Sequence, residues 1–171
     1  MPLNPFYTDK EIDNRAEALK QKLINTALAR KIATSPNELA VRDILPVEDL
    51  GYSNEYWETA VLNPGWQTAV SKRLEDNKVI GFFGIAAVAP DATNATQIRF
   101  KVGPGGSRTI NIYDFQVEFP QQNALAIFDE DIIYKNGEFM TIDLNLVSTG
   151  SVGIALLGYV VEPKGETVNQ G

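Results

Sequence analysis

The first fifty residues have the hydrophobic spacing of a helix. Between positions 8 and 33, apolar side chains recur every three or four residues and charged side chains lie mostly between them, which puts the apolar side chains on one face of an α-helix. These apolar positions are Ile12, Ala16, Leu19, Leu23 and Ala27. Thr8 and Glu11 have the spacing of a capping box at the start. Ser35-Pro36 ends the pattern, because a residue before proline avoids the α conformation.

A second, shorter helix is predicted directly after this break. Ser35 is a good capping residue, Pro36 suits a first turn, and Glu38 occupies the capping-box position. Pro46 would stop this helix after Leu45. Residues 1–50 are therefore predicted to form an N-terminal helical arm. An arm of this kind cannot bury its apolar stripe by itself, so the stripe must lie on the following domain or on another chain.

Residues 51–66 form a connector rich in aromatic side chains. Its rings belong to Tyr52, Tyr56, Trp57 and Trp66, and Gly51, Pro64 and Gly65 punctuate the segment. One interpretation is that the rings cover the end of a core or fill the joint between arm and domain. The alternatives are a platform on which a ligand stacks and a contact between subunits.

From residue 67 the hydrophobic period changes to two. Eight short strand patterns follow, with turn residues about every 8–12 positions and no helical spacer between them. The candidate strands cover 68–71, 78–88, 96–102, 109–118, 124–128, 131–134, 138–147 and 152–161. This pattern predicts a mainly β fold, an antiparallel β-sandwich over 67–166 with a jelly roll as the expected arrangement, and a flexible tail at 167–171. The glycines of the second strand predict a bulge or a close backbone approach.

The composition removes many kinds of catalytic chemistry. The 171 residues include no histidine and no cysteine, so the usual general base, the thiolate nucleophile and the commonest metal ligands are absent. We therefore assign no catalytic, cofactor-binding or metal-binding residue, and we expect the protein not to be an enzyme. A hydrolase that works with carboxylates alone remains an alternative, but no carboxylate pair is singled out among the fourteen acidic residues after position 50.

The charge and hydropathy of the chain narrow the classes of molecule that it could bind. The net charge is -7, and residues 51–171 hold 14 acidic side chains against 8 basic ones, which argues against nucleic acid as the partner. No run of apolar residues approaches the ~20 residues that are needed to cross a bilayer, so we expect that the protein does not bind a membrane. The first residues lack the pattern of a secretory signal, so we expect synthesis in the cytoplasm.

Three short motifs have ordinary structural explanations. Gly103–Ser107 is rich in glycine, but a strand follows it where a phosphate-binding loop would need a helix. Asp129–Asp131 is the densest acidic run, and it favours a solvated edge or turn over a calcium loop, whose ligand spacing it lacks. Asn94-Ala95-Thr96 matches a glycosylation sequon that we expect to be incidental.

Two segments resemble structural proteins of tailed-bacteriophage particles. They are Asp76–Ile85 (DNKVIGFFGI) and Leu156–Glu166 (LLGYVVEPKGE). The resemblance covers 67–166 loosely and implies a virion structural protein, such as a cement or decoration protein with a β-sandwich domain. It also implies a homo-oligomer made in the host cytoplasm that binds the major capsid protein or other virion proteins. The alternative is a carbohydrate- or receptor-binding module of a phage tail or fibre that uses the connector rings.

Overall fold

The computed structural model describes residues 9–52, 54–87, 94–103, 108–114 and 125–165. Within these ranges the chain forms two α-helices and eight β-strands, numbered in chain order. The helices are α1 (Asp9–Ala29) and α2 (Pro46–Leu50). The strands are β1 (Leu39–Asp43), β2 (Gly65–Arg73), β3 (Val79–Ala87), β4 (Ala95–Val102), β5 (Arg108–Asp114), β6 (Leu125–Tyr134), β7 (Phe139–Leu146) and β8 (Ile154–Pro163).

The strands form two antiparallel sheets that face each other. The first sheet has the order β1-β8-β3-β6 and the second has the order β2-β7-β4-β5. Strand 1 thus pairs with strand 8, 2 with 7, 3 with 6 and 4 with 5. This is the pairing of one long hairpin rolled up into two sheets, which is the jelly roll. The predicted mainly β fold, an antiparallel sandwich, is confirmed.

The main core lies between the two sheets, because each strand points alternate side chains inward. On β4 the inward residues are Ile98, Phe100 and Val102, as the alternation predicts, and all three are buried. Phe100 contacts the ring of Phe128 at 5.5 Å between centroids. Tyr134 is also fully buried, and its hydroxyl donates to the carbonyl of Lys101 at 2.8 Å, so its one polar group is satisfied.

A second core lies on the outer face of the first sheet, where α1 packs. Leu19, Leu23 and Ala27 are 0% exposed and contact the outward side chains of β3, β6 and β8. These sheet residues are Val79, Phe83, Ile127 and Val161. The apolar stripe is expected to pack on the following domain or on another chain, and α1 packs on its own domain. Among the described residues, no helix is both long and apolar enough to cross a membrane.

Glycines on β3 allow two close approaches, as the sequence predicts. A Cβ on Gly81 would lie 2.8 Å from Leu19 Cδ1 and 2.9 Å from Leu23 Cδ2, so the missing side chain lets α1 lie against the sheet. A Cβ on Gly84 would lie 2.5 Å from the Ala126 carbonyl oxygen, and the register shifts between Phe82 and Gly84. The predicted bulge and the predicted close approach are both present.

The second predicted helix, from Ser35 to Leu45, is wrong. Ser35 and Glu38 do form the capping box, with Ser35 N donating to Glu38 Oε1 at 3.0 Å, but only a 3-10 turn at Pro36–Glu38 follows it. The chain then enters β1, whose five residues pair with β8. Residues 39–43 therefore belong to the sandwich, although the sequence places them in the arm. Tertiary packing outweighs the local capping signal here, because the strand packs Leu39 and Val41 into the core beneath α1.

Three smaller boundaries also differ from the prediction. Helix α1 ends at Ala29, where Lys31 adopts a left-handed φ of 62° and Ile32 N donates to the Ala27 carbonyl at 3.0 Å. The strands predicted at 124–128 and 131–134 are one irregular strand, β6. Strand β2 starts at Gly65 and so includes Trp66 from the predicted connector. Thr8, most of the Gly103–Ser107 loop and the tail at 167–171 lie outside the described residues.

Candidate binding groove

The structure does not bring the four connector rings together at one place. Tyr52 is buried in the main core, and Trp57 packs edge-on against it at 5.5 Å between ring centroids. Tyr56 is 76% exposed. Trp66 lies on β2, in the other sheet. The rings therefore do not form one platform, but Trp57 lines a concave surface.

That surface is a groove on the outer face of the first sheet, beside α1. We call it the Trp57 groove, and its volume is about 340 Å³. It is lined by Asp43, Ile44, Trp57, Phe83 and the β8 residues 155–159. Asp43 and Tyr159 are directly paired residues of β1 and β8, so sheet register brings them together although they are far apart in sequence. Ligand pockets range over about 300–1,000 Å³, so this groove suits a single side chain or one sugar ring.

Stacked aromatic rings form one wall of the groove. Phe83 and Tyr159 stack with 6.3 Å between centroids and 12° between planes. The ammonium of Lys20, from α1, lies 4.7 Å from the centroid of the Tyr159 ring. Lys20 also donates to Glu17 at 3.1 Å. That hydrogen bond, with smaller contributions from the nearby Tyr159, Glu17 and Asp43, holds the pKa of Lys20 above its usual value.

Trp57 is held in an unfavourable backbone conformation. Its φ is 61°, in the left-handed region that a bulky residue rarely adopts. Such a conformation costs about 1–3 kcal/mol and persists only where the surroundings enforce it. Here the contact with the buried ring of Tyr52 fixes the indole. The indole is therefore positioned before any ligand arrives.

Asp43 places a carboxylate at the groove, and its charge acts on Lys20 through space. Its side chain is exposed and forms no hydrogen bond or ion pair with the described residues. The neighbouring Arg42 does not neutralise it, because Arg42 points to the opposite face of β1. There, the Arg42 guanidinium donates to both oxygens of Asp49 at 2.7 and 2.8 Å and to Glu162 at 2.7 Å. The hydrogen bonds with Asp49, and to a smaller extent with Glu162, raise the pKa of Arg42. They also fix the end of β1 beside the groove.

Trp66, in contrast, belongs to a closed polar network on the outer face of the second sheet. The Arg99 guanidinium lies 4.1 Å from the Trp66 ring centroid and donates to Asp143 at 2.8 Å. Lys101 contacts the same Asp143 oxygen at 2.8 Å, and Thr68 donates to the other one at 2.9 Å. Burial alone would raise the pKa of Asp143, but the hydrogen bonds from Lys101, Arg99 and Thr68 together lower it. The Trp66 face is thus covered by its own chain.

The acidic run and the sequon also have structural roles. Asp131 accepts from Arg15 and Lys22, both at 3.0 Å, and so attaches α1 to β6. Within the described ranges, no three acidic side chains are grouped so that they could hold a metal ion. Asn94 bonds Ser148 through both its amide oxygen and its amide nitrogen, each at 2.9 Å, and ties two loops together.

Comparisons with known proteins give little support for any assignment. No protein-family model and no curated protein matches the chain. Among solved structures, the chain is similar to a family GH115 4-O-methyl-α-glucuronidase with specificity for decorated arabinogalactans, at 16% identity and a TM-score of 0.26. The match covers 72% of this chain but 16% of that much longer enzyme. A likeness this weak carries neither a fold nor an activity to the chain.

Proposed function

We propose that the protein is a non-enzymatic structural protein of a virus particle, of the cement or decoration kind. In this role it binds and stabilises the capsid through protein–protein contacts, as a homo-oligomer on the major capsid protein or other virion proteins. The observation that carries the proposal is the jelly-roll order of the eight strands, since this architecture recurs in viral capsid proteins. The resemblance of Asp76–Ile85 and Leu156–Glu166 to phage particle proteins points in the same direction.

The state of the buried carboxylates also favours contact over reaction. A general acid or base needs a pKa tuned toward neutral pH, usually by burial without a partner. Here Asp49, Asp131, Asp143 and Glu162 are each paired with an arginine or a lysine. Such pairs hold elements of the fold together, which is a structural use of charge.

The test of the proposal is sedimentation with particles. Particles purified from cells infected by the virus that encodes the chain are mixed with the labelled protein and pelleted through a cushion. We expect the protein in the pellet at a fixed copy number per particle, and light scattering of the free protein should give a mass above that of the monomer. A protein that stays in the supernatant and is absent from purified particles by mass spectrometry would contradict a virion role.

A second candidate is a carbohydrate- or receptor-binding module of a phage tail or fibre. The observation that favours it is the Trp57 indole beside the Asp43 carboxylate in a groove that fits one sugar ring. A glycan array decides this case. Binding that disappears in Trp57→Ala but persists in Trp66→Ala would support it, and an array without signal would eliminate it.

A further inference from the structure

We propose that the Trp57 groove binds the cationic side chain of an arginine or lysine on a partner protein. The inference rests on the proposed function, in which the chain works through protein contacts, and it names the surface and the partner chemistry. Three properties of the groove lead to it: its charge, its rings and its rigidity.

Asp43 gives the wall of the groove a negative charge, and the nearby cation Lys20 is itself bonded to Glu17. The chain from 43 to 71, which supplies Asp43, Ile44 and Trp57, contains five acidic residues and no lysine or arginine. Asp49 is taken up by Arg42, but the carboxylates of Asp43, Glu48, Glu55 and Glu58 have no ion pair with the described residues. A cationic side chain would therefore meet the Asp43 carboxylate at the wall of the groove, which favours it over a neutral or anionic group.

The rings provide the second component of a cation site. Trp and Tyr faces attract an ammonium or guanidinium within about 6 Å of the ring centroid. The Tyr159 ring already does this within the chain, since Lys20 lies 4.7 Å from its centroid. The indole of Trp57 is the stronger ring for such a contact and lines the same groove. A carboxylate beside an indole thus offers a guanidinium both a charged hydrogen bond and a stacking face.

The rigidity of these groups lowers the cost of binding. The strained backbone and the contact with Tyr52 fix Trp57, and the Arg42 bonds to Asp49 and Glu162 fix the end of β1 that carries Asp43. Groups that are already ordered lose little conformational freedom when a partner arrives.

A second acidic depression, beside β6, lacks these properties. It is lined by Asp129, Glu130 and Asp131, but Arg15 and Lys22 also line it and bind Asp131. No aromatic ring contributes to its wall. The charge there is largely neutralised within the chain, so Glu130 supplies a matched control: an exposed carboxylate on β6, at the opposite edge of the same sheet from β1.

The experiment is an NMR titration of the full chain with three short capped peptides of the form Gly-X-Gly, where X is arginine, lysine or citrulline. Citrulline keeps the shape of arginine but lacks its charge. The two tryptophans give two indole N–H signals, so Trp66 is an internal reference. We expect the arginine and lysine peptides to shift the Trp57 signal saturably, with little change at Trp66 and little effect of citrulline.

The variants complete the test. Asp43→Asn should weaken the arginine peptide by about fivefold, the value of one partly exposed charge contact, whereas Glu130→Gln should leave the affinity unchanged. Asp43 is exposed and without a partner in the described part of the chain, so the variant should fold, and its unfolding curve is recorded as a check. An unmoved Trp57 signal, equal shifts with citrulline, or equal weakening by Glu130→Gln would each overturn the inference. A shift with methyl pyranosides but not with arginine would overturn it in favour of the sugar site.

Failure of this inference is distinct from failure of the proposed function. If the protein pellets with particles but Trp57 does not respond to arginine, the groove inference is wrong and the virion role stands. If Trp57 responds but the protein never pellets with particles, the virion role is wrong and the cation site stands.

Discussion

The two outer faces of the sandwich are completed in different ways. On the first sheet, β3 and β8 are apolar on both faces, and α1 covers the outward side chains, among them Val79, Phe83 and Val161. On the second sheet, β4 alternates between Gln97 and Val102, and its outward Arg99 and Lys101 close over Asp143 of the neighbouring β7. A strand that is apolar on both faces requires a cover, while an alternating strand can face water. The open groove lies where the helical cover on the first sheet ends.

The largest loss of stability is expected from a mutation in the apolar contact between α1 and the first sheet. Leu23→Ala should lower the free energy of unfolding by between about 2 and 5 kcal/mol, because Leu23 is 0% exposed between α1 and the sheet and its loss leaves a cavity. The measurement is urea unfolding. Ile112→Ala, on the outer face of the second sheet at 45% exposure, is the control and should cost under about 1 kcal/mol. Similar losses in both variants would contradict the difference between the faces.

The next largest loss of stability is expected from a mutation in the polar network around Asp143 on the second sheet. Asp143→Asn keeps the shape but removes the charge that Arg99 and Lys101 share, at a cost of about 1–3 kcal/mol near pH 7. The folded-state pKa of Asp143 is lowered, so its stabilisation is present above the ordinary aspartate value of about 3.9 and is lost as pH falls below it. Urea unfolding at pH 7 and pH 3 should show a smaller acid-induced loss in the variant. Equal losses in both proteins would contradict this role of Asp143.

A smaller loss of stability is expected at Gly81, where α1 lies close against the first sheet. Gly81→Ala places a Cβ against the ends of Leu19 and Leu23, which can shift, so we expect about 1–3 kcal/mol of destabilisation by overpacking. Gly150→Ala is the matched control, since its Cβ would meet Asn94 Nδ2 at an ordinary 3.6 Å. The difference between the two melting curves measures how closely α1 lies on the sheet. Identical curves would mean that the helix is held elsewhere.

The smallest effect on stability is expected at the groove. Asp43→Asn changes an exposed side chain with no partner among the described residues, so the free energy of unfolding should change by no more than about 0.5 kcal/mol. Thermal unfolding checks this. A loss well above that value would show that Asp43 supports the fold, and its charge would then not be available to a partner.

Most of the fold follows from hydrophobic periods in the sequence. The period of two between 67 and 166 predicts the sandwich, and the stripe from Ile12 to Ala27 predicts α1. Strand β1 is missed because Ser35 and Glu38 give a strong capping signal just before it. The larger apolar side chains of Leu39 and Val41, two positions apart, are the sequence signal that could have identified it, but five residues are too few for a period to decide.

The candidate site is only partly predictable. Trp57 stands out in the sequence because it lies in the most aromatic segment. Asp43 and Tyr159 do not, because their proximity comes from the β1–β8 pairing, and no period reveals strand order. Trp66 looks equivalent to Trp57 in sequence, but β2 places it on the other sheet under Arg99. Tertiary contacts alone decide that Trp57 lines the groove and that Trp66 lies under Arg99.

The most direct test of the account compares three proteins in one sedimentation assay with purified virus particles: wild type, Asp43→Asn and Glu130→Gln. Both variants lose one exposed carboxylate, but only Asp43 lines the Trp57 groove. The account predicts that wild type and Glu130→Gln pellet with the particles to the same extent, while Asp43→Asn requires about fivefold more protein for the same occupancy. Equal binding by all three proteins, or no binding by wild type, would contradict it.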